Sequence, residues 1–201
     1  MSKVPVHVKY IAEWNNAVAR MMVMETSDNQ LTFPIIIAEA EAQSLMKELE
    51  NISAKRPQTH DLLCNMMDAF HIVLQEVYIY KLVEGIFYTY LLCETEGEMV
   101  SLDSRASDAV IIALKKGCPV YVDSSVLEKV GLPSASIGNE EEEAEALNAG
   151  FVAATDPGAA GDYSRKSLDE LSALLQDAVD IEDYELASVI RDEMNSRQQK
   201  R

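Results

Sequence analysis

Two short polar clusters in the chain combine residue types that could form a reactive site. The first cluster lies in the sequence RPQTHDLL at residues 56–63 and the second in DSRASD at residues 103–108. A histidine can carry protons near neutral pH, and each cluster also holds an arginine, a hydroxyl and a carboxylate. The first cluster contains Arg56, Thr59, His60 and Asp61, and the second contains Asp103, Ser104, Arg105, Ser107 and Asp108.

Both clusters stand directly before an apolar pattern with helical spacing, so they also suit a purely structural role. In that interpretation Thr59 caps one helix, Ser104 or Ser107 caps the other, and Asp108 pairs with Arg105 on the surface. Residue types alone favour this capping interpretation, because most polar helix starts are caps. Proximity of the two clusters in the folded chain would instead favour a reactive site, since backbone N–H groups at helix starts can face an anion.

The elements around the clusters predict an α+β fold with a mixed, largely antiparallel sheet and packed helices. Successive strand-like segments lie at hairpin spacing, which argues against a doubly wound α/β fold. The predicted strands are 19–26, 31–37, 71–82, 85–94, 98–103 and 119–122. The predicted helical stripes are 42–49, 62–70 and 106–113, followed by a last short helix after residue 123.

Composition divides the chain into three predicted parts. Residues 1–133 form the α+β domain. Residues 134–163 contain seven acidic residues and no Lys or Arg, and we expect an acidic, mostly disordered linker with a short helical patch at 140–148. In residues 164–201 apolar residues recur at helical spacing in two stretches separated by an acidic turn, which predicts a C-terminal α-helical hairpin. So short a hairpin buries little apolar surface, so its exposed stripe predicts association with a copy of itself or another protein.

Charge, cysteines and hydropathy limit the function classes. The formal net charge is −17, which opposes unspecific binding to nucleic acid through a basic surface. The three cysteines lack metal-like spacing and lie in apolar stretches, so buried free thiols are expected. No apolar run approaches the ~18 residues of a membrane span, and we therefore expect a cytoplasmic protein with no membrane contact.

Several of these pieces, taken in order, resemble the bifunctional nuclease family of bacterial and plant proteins. The resemblance covers residues 1–133, with one departure: Ala106 stands where the family usually has proline, which removes no functional group. The pieces are FPIIIAEAEAQSL, RPQTHDLL, GIFYTYL, LDSRASDAVIIAL, PVYV and VLEKVGL. In the tail, DYELA at 183–187 followed by IRD at 190–192 resembles the UVR motif of UvrB and UvrC, which implies a protein-interaction hairpin.

The family resemblance implies an α+β domain that is usually oligomeric and has DNase and RNase activity in some members. Carried onto this chain, it implies catalytic roles for His60, Asp61, Asp103 and Asp108, and substrate binding by Arg56, Thr59, Arg105 and Ser107, with Glu41 as a further candidate. His60, or an aspartate pair holding Mg²⁺, would activate water. The sequence identifies neither a metal ligand set nor a cofactor, and Mg²⁺ is the one candidate its carboxylates suggest.

Two functions therefore compete at this point. One is a nuclease that cleaves DNA, RNA or both and associates with copies of itself or with a partner through residues 164–201. The other is a non-catalytic adaptor or scaffold that docks a repair or stress-response partner. The family-like pieces favour the nuclease, and the net charge of −17 favours the adaptor.

Overall fold

The computed structural model describes residues 2–14, 19–134 and 140–155, together with Leu171, Leu175 and Arg191. The chain divides into two compact units, Met1–Phe151 and Val152–Arg201, and the first contains the site considered below. The strands are β1 Lys3–Trp14, β2 Ala19–Thr26, β3 Leu31–Ala38, β4 Val73–Val83, β5 Ile86–Thr95, β6 Glu98–Arg105, β7 Val120–Asp123 and β8 Leu132–Pro133. The helices are α1 Glu39–Leu49, α2 Thr59–Ala69, α3 Ala106–Lys116, α4 Ser124–Val130 and α5 Glu140–Thr155.

The eight described strands form one mixed sheet in the order β6-β5-β4-β7-β1-β2-β3-β8. Every neighbouring pair is antiparallel except β4 and β7, which run parallel. Short turns join β2 to β3, β4 to β5 and β5 to β6, and Gly85 and Gly97 in the last two turns adopt positive φ angles of 75° and 80° that favour glycine. The α+β prediction with a largely antiparallel sheet is confirmed.

The central helix is α3, and it is buried along most of its length. Its residues Ala109 to Ala113 are almost fully excluded from solvent and join the main core. Small and β-branched side chains at these positions allow α1 and α2 to pack close against it. The helix ends at Gly117, which takes the left-handed conformation at φ 64°. Because α1 and α2 both contact α3, polar residues at the starts of different helices come within reach of one another.

The acidic segment after residue 139 contains a helix where the sequence predicted a linker. The short helical patch predicted at 140–148 lies within α5, which continues to Thr155. Its Glu143 is buried and accepts hydrogen bonds from Lys9 Nζ at 2.9 Å, Tyr10 Oη at 3.0 Å and Thr32 Oγ1 at 3.2 Å. Leu147 is fully buried and packs in a cluster with Met21 and Val23. A carboxylate that is ion-paired and hydrogen-bonded in this way can be buried. The acidic helix α5 can therefore pack against β1 and β3.

Other predictions concern the rest of the chain. The helical hairpin at 164–201 and the remainder of the predicted linker lie outside the described residues, so the division into 1–133, 134–163 and 164–201 stays a prediction. None of the helices in the described part is long and apolar enough to cross a membrane. The cysteines are free thiols; Cys64 and Cys93 are buried, whereas Cys118 is partly exposed.

Candidate active site

The fold brings the two polar clusters together at one pair of side chains. His60 is the second residue of α2 and Asp108 lies in the first turn of α3. The Nε2 atom of His60 lies 2.9 Å from Oδ1 of Asp108, although 48 positions separate the two residues in the chain. The two helix starts therefore meet at a common site.

Arg105 closes the other side of this pair. Its Nε donates to Asp108 Oδ2 at 2.7 Å, and its Nη2 lies 2.9 Å from Glu41 Oε1 on α1. Burial alone would raise the pKa of the Asp108 carboxyl, but hydrogen bonds from Arg105 and His60 outweigh it and hold that pKa below its ordinary value. Asp108 is therefore ionised at neutral pH and fixes both neighbours.

An ionised Asp108 determines which nitrogen of His60 carries the proton. A carboxylate can only accept hydrogen bonds, so Nε2 of a neutral His60 must be the donor in the 2.9 Å contact. The lone pair then lies on Nδ1, which makes the ring a proton acceptor held in a fixed orientation. This histidine–aspartate arrangement is the one in which a carboxylate orients a general base.

Glu41 contributes a carboxylate oxygen that has no partner. Its Oε1 is paired with Arg105, whereas its Oε2 is buried and makes no hydrogen bond with any described residue. Leaving such an oxygen unsatisfied costs free energy, so it is available to accept a hydrogen bond from a substrate hydroxyl or an attacking water.

Two adjoining cavities meet at His60. The smaller, of about 340 Å³, is lined by Glu41, Thr59, Arg105 and Asp108 among others. The larger, of about 460 Å³, lies between α1, the loop at 50–58 and α2. The residues that line both cavities are Ser44, Lys47, Gln58 and His60. An extended ligand could therefore pass His60 with parts on either side of it.

Two lysines in the larger cavity were not identified from the sequence. Lys47 lies in the last turn of α1 and lines both cavities, and its ammonium group makes no hydrogen bond or ion pair with the described residues. Lys115 donates to Glu48 Oε2 at 2.6 Å and to Asp61 Oδ1 at 2.7 Å. In the sequence, Lys47 is one polar residue among others on an amphipathic helix. Only the packing of α1 beside α2 shows that it lies next to His60.

The described contacts give several predicted site residues structural roles. Asp61 accepts from Lys115 and, at 2.7 Å, from the backbone N–H of Gln58, and both contacts hold its pKa below the ordinary value. The helix start is thus held by Asp61, with Gln58 as N-cap, and the cap expected from Thr59 is not formed. Ser107 is buried within α3, whose N-cap Arg105 has no side-chain capping bond, so neither serine cap is formed.

Arg56 and Asp103 are not brought into this arrangement. Both are exposed, and neither is among the residues that line the two cavities. Asp103 lies on β6 opposite Tyr90 of β5, two residues before the strand ends. The pair of clusters therefore converges through His60, Arg105 and Asp108 rather than through all of its members.

The predicted Mg²⁺ site does not fit the donor atoms as they are arranged. Both oxygens of Asp61 and both of Asp108 are engaged by cationic or N–H donors, and Asp103 lies apart from them. Within residues 2–14, 19–134 and 140–155 no three His, Cys, Asp or Glu residues are placed to hold a metal ion. We therefore derive no catalytic step through a metal.

Comparison with protein-family models identifies two matches along the chain. Residues 22–135 match the model of the bifunctional nuclease domain, which covers all the site residues described above. Residues 165–200 match the UvrB/uvrC motif. The two matches agree with the two resemblances found in the sequence.

Individual relatives show similarity of different extent. An uncharacterized protein of Mycobacterium tuberculosis is 33% identical over 121 residues, which is 60% of this chain and 72% of that protein. Bifunctional nuclease 1 of Arabidopsis thaliana is 28% identical over 175 residues, 85% of this chain but 54% of its own length. The Oryza minuta bifunctional nuclease is 29% identical over 115 residues, 55% of this chain and 35% of that protein. The matches thus span only about a third to a half of the length of these two plant proteins.

Proposed function

This chain belongs to the bifunctional nuclease domain family, and from that premise we propose that it hydrolyses phosphodiester bonds of DNA, RNA or both. The observation that carries the proposal is the 2.9 Å contact between His60 and Asp108 at the junction of two cavities. A histidine held by an ionised carboxylate is a general base, and cations beside it can neutralise a phosphate. Bifunctional nucleases of plants are among the relatives, which agrees with this assignment.

The site suggests a sequence of proton and bond changes. Nδ1 of His60 takes the proton of the attacking hydroxyl, whose oxygen forms a bond to phosphorus. The bond from phosphorus to the leaving oxygen breaks, and that oxygen takes up a proton from solvent as it departs. Lys47 and the Arg105 guanidinium are the cations placed to offset the charge on the phosphate oxygens. The free Oε2 of Glu41 accepts a hydrogen bond from a second hydroxyl of the substrate and so helps to orient the substrate, because the attacking hydroxyl has only the proton that it gives to His60.

This arrangement suits RNA better than DNA. Among the described residues His60 is the general base, and water is a poorly placed nucleophile unless other groups position it. RNA supplies its own nucleophile, because the 2′-hydroxyl lies beside the phosphorus atom and needs only a base. We therefore expect the purified chain to cleave labelled single-stranded RNA faster than DNA of the same sequence. Assays on single- and double-stranded substrates, each with and without Mg²⁺, measure both the preference and any metal requirement.

Replacing Lys47 should weaken substrate binding more than it slows the chemical step. In Lys47→Met the stem of the side chain is kept and the unpaired ammonium is lost. We expect KM for an oligonucleotide to rise about tenfold or more, as for other hydrogen bonds to charged groups, with a smaller change in kcat. The slope of log KM against log salt should fall by about one, because one phosphate contact is lost.

The matched control for Lys47 is Lys55→Met. Lys55 is an exposed lysine of the neighbouring loop and lines neither cavity. Steady-state kinetics at several salt concentrations should leave this variant unchanged. Equal effects of the two substitutions would show that only the overall charge matters and that Lys47 has no position in the site.

The C-terminal match supports a separate proposal about residues 164–201. We propose that this segment is a helical hairpin that binds a protein partner, either a copy of itself or another protein. Deleting residues 164–201 should abolish binding of proteins that the full chain retains, or lower the assembled mass, while cleavage of short substrates persists. Unchanged binding in pull-down experiments together with unchanged mass in light scattering would remove this proposal.

The adaptor function remains the competitor, and the cleavage assay separates the two. If the wild-type chain and variants of His60 and Asp108 cleave alike, the activity is a contaminant. The polar clusters would then serve the fold, and the tail would carry the function.

A further inference from the structure

A contiguous row of tyrosine rings lies across the neighbouring strands β4 and β5. The ring centroids of Tyr78 and Tyr90 are 5.5 Å apart, those of Tyr90 and Tyr80 are 5.7 Å apart, and those of Tyr80 and Tyr88 are 6.3 Å apart. Buried and accessible residues alternate along most of β5, so its tyrosines lie on the face that points away from the main core. The four rings therefore form one aromatic patch outside the core.

Three of the four rings are accessible, and we call Tyr80, Tyr88 and Tyr90 the tyrosine surface. Tyr80 is 36% exposed, Tyr88 is 38% exposed and Tyr90 is partly exposed. Tyr78 is buried, and its hydroxyl donates to Asp123 Oδ2 at 2.6 Å, so Tyr78 has a structural role. Cross-strand aromatic pairs stabilise a sheet, but this role does not require that the rings be accessible. The tyrosine surface is thus open to a flat ligand.

A β-bulge in β4 places a cation beside the same rings. The register of β4 and β5 shifts between Ile79 and Lys81, so that Tyr80 and Lys81 both lie beside Tyr88. The Nζ atom of Lys81 lies 5.6 Å from the centre of the Tyr88 ring. Lys81 is exposed, and its ammonium group makes no ion pair with the described residues. An aromatic ring beside such a cation suits a nucleotide, because the base can stack on the ring while the phosphate meets the cation.

The tyrosine surface borders the candidate active site. Tyr88 lies opposite Arg105, the last residue of β6, and directly opposite residues in an antiparallel pair share one face of the sheet. The side chain of Arg105 lines the smaller cavity together with His60. A strand that passes His60 and leaves the cavity at Arg105 therefore meets Tyr88 first, with Tyr80 and Tyr90 beyond it.

We propose that the tyrosine surface binds the bases of a single-stranded nucleic acid next to the phosphate held at His60. The proposal rests on the proposed function, because its ligand is the substrate of that site. Stacking on aromatic side chains tolerates any sequence, since every base has a π face, and it requires a single strand whose bases are accessible. Stacking also provides affinity to a chain whose net charge of −17 opposes binding through a basic surface.

The charges near the tyrosine surface favour stacking over phosphate contacts as the main source of affinity. Lys3, at the Tyr78 end of the row, is paired with Glu76. Asp103 lies opposite Tyr90 and repels phosphate. We therefore expect a weak salt dependence, with a slope of about two or less for log Kd against log salt, which corresponds to two or three phosphate contacts on a single strand.

Fluorescence anisotropy with a labelled single-stranded dodecamer tests the proposal on the full chain. The RNA carries 2′-O-methyl groups, so it lacks the attacking hydroxyl and stays intact. Tyr88→Leu should raise Kd about tenfold or more, the loss of one stacked base, whereas Tyr88→Phe keeps the ring face and should bind like the wild type. A duplex of the same sequence should bind more weakly than the single strand.

The matched control is Phe70→Leu. Phe70 is 67% exposed at the end of α2 and lies outside the tyrosine surface, so the loss of its ring should leave Kd unchanged. Circular dichroism checks that all three variants are folded. On cleavable RNA, Tyr88→Leu should raise KM and leave kcat unchanged, because stacking contributes equally before and during the reaction.

A photochemical cross-link locates the bound bases directly. A strand that contains iodouracil becomes attached, on irradiation, to an aromatic side chain that the base contacts. In the wild-type chain the attachment should lie in the tryptic fragment 82–105, which contains Tyr88 and Tyr90. Attachment only to other fragments would overturn the proposal.

The outcomes separate this proposal from the proposed function. Binding that depends on the Tyr88 ring, in a chain that cleaves nothing, would support the tyrosine surface and remove the nuclease assignment. Cleavage with the same KM and the same Kd in the wild type and Tyr88→Leu would overturn the tyrosine surface and leave the His60 site in place. A wild type that binds none of these oligonucleotides would also overturn the proposal and leave the surface to a protein.

Discussion

We expect His60→Gln and Asp108→Asn each to lower the rate of phosphodiester cleavage by about 10²- to 10⁴-fold, the contribution of a positioned general base. Glutamine at residue 60 keeps a polar side chain in the cavity but removes the base. Asparagine at residue 108 keeps the shape of the carboxyl and removes the charge that fixes His60 and Arg105. The loss should fall on kcat rather than on KM, because both groups act on the reacting atoms or orient those that do.

The chain provides a matched control in its own histidines. His71 is exposed, is the second residue after α2 and has a φ of 55°, a conformation that asparagine tolerates well. His71→Asn should therefore leave both stability and cleavage unchanged. The double variant of His60 and Asp108 should be no slower than the worse single variant, since Asp108 acts through His60. Full activity in either single variant would refute the proposed site.

Substitution of Asp108 also affects Arg105, and stability measurements are needed to separate the two effects. The aspartate accepts from Arg105 through both of its oxygens, so Asp108→Asn weakens the clamp that reaches Glu41. Exposed ion pairs contribute little to stability, and two-thirds of the Arg105 side chain is exposed. We therefore expect little change in unfolding free energy, and a large loss of activity would report on the site rather than on the fold.

Most of the sheet could be predicted from local patterns. The strand-rich segments around residues 71–94 and the glycine in each following turn encode hairpins without reference to the rest of the chain. The first strand, Lys3–Trp14, is missing from the predicted strands although Val4, Val6 and Val8 alternate with two lysines, a histidine and a proline. Its pairing with β7 could not be predicted, because β7 lies more than a hundred residues further along the chain.

The candidate site could be predicted only in part, for the same physical reason. The residue types at 56–63 and 103–108 indicate two helix starts. The distance between these two helix starts depends on how α1 and α2 pack on α3. The sheet order is not the chain order, and no local pattern specifies it. Lys47 and Lys115 gain their positions from this packing alone. The sequence predicted a catalytic role for Asp61 because it adjoins His60, whereas in the structure its carboxylate accepts a hydrogen bond at the start of α2.

The acidic helix α5 was the least predictable element, because the signal that determines it lies elsewhere. Glu143 can be buried because Lys9, from the first strand, provides the opposite charge, and because the side chains of Lys9, Tyr10 and Thr32 donate hydrogen bonds to its carboxylate. Burial alone would lower the pKa of Lys9, but hydrogen bonds to Glu143 and Glu25 outweigh it and raise that pKa. Composition alone predicts that the run of glutamates is solvated. The ion pair with Lys9 allows Glu143 to be buried instead.

Replacing the buried leucine of α5 should therefore cost as much stability as a substitution in the main core. We expect Leu147→Ala to lower the free energy of unfolding by about 2–5 kcal/mol, since it removes a fully buried side chain packed in a cluster with Met21 and Val23. Leu49→Ala is the control: the same change on α1, at a leucine that is 41% exposed, should cost clearly less. A disordered linker at residues 134–163 would instead make Leu147→Ala neutral.

Trp14 makes this experiment specific to α5. It is the one tryptophan of the chain, and its ring centroid lies 6.1 Å from that of Phe151 on α5 in an edge-on arrangement. Urea unfolding followed by tryptophan fluorescence therefore reports on the docking of α5 as well as on the sheet. If α5 holds the first unit together, the fluorescence and circular-dichroism transitions of Leu147→Ala should shift together to lower urea concentration. A fluorescence change that occurs alone, with the sheet transition unmoved, would show that α5 docks without stabilising the domain.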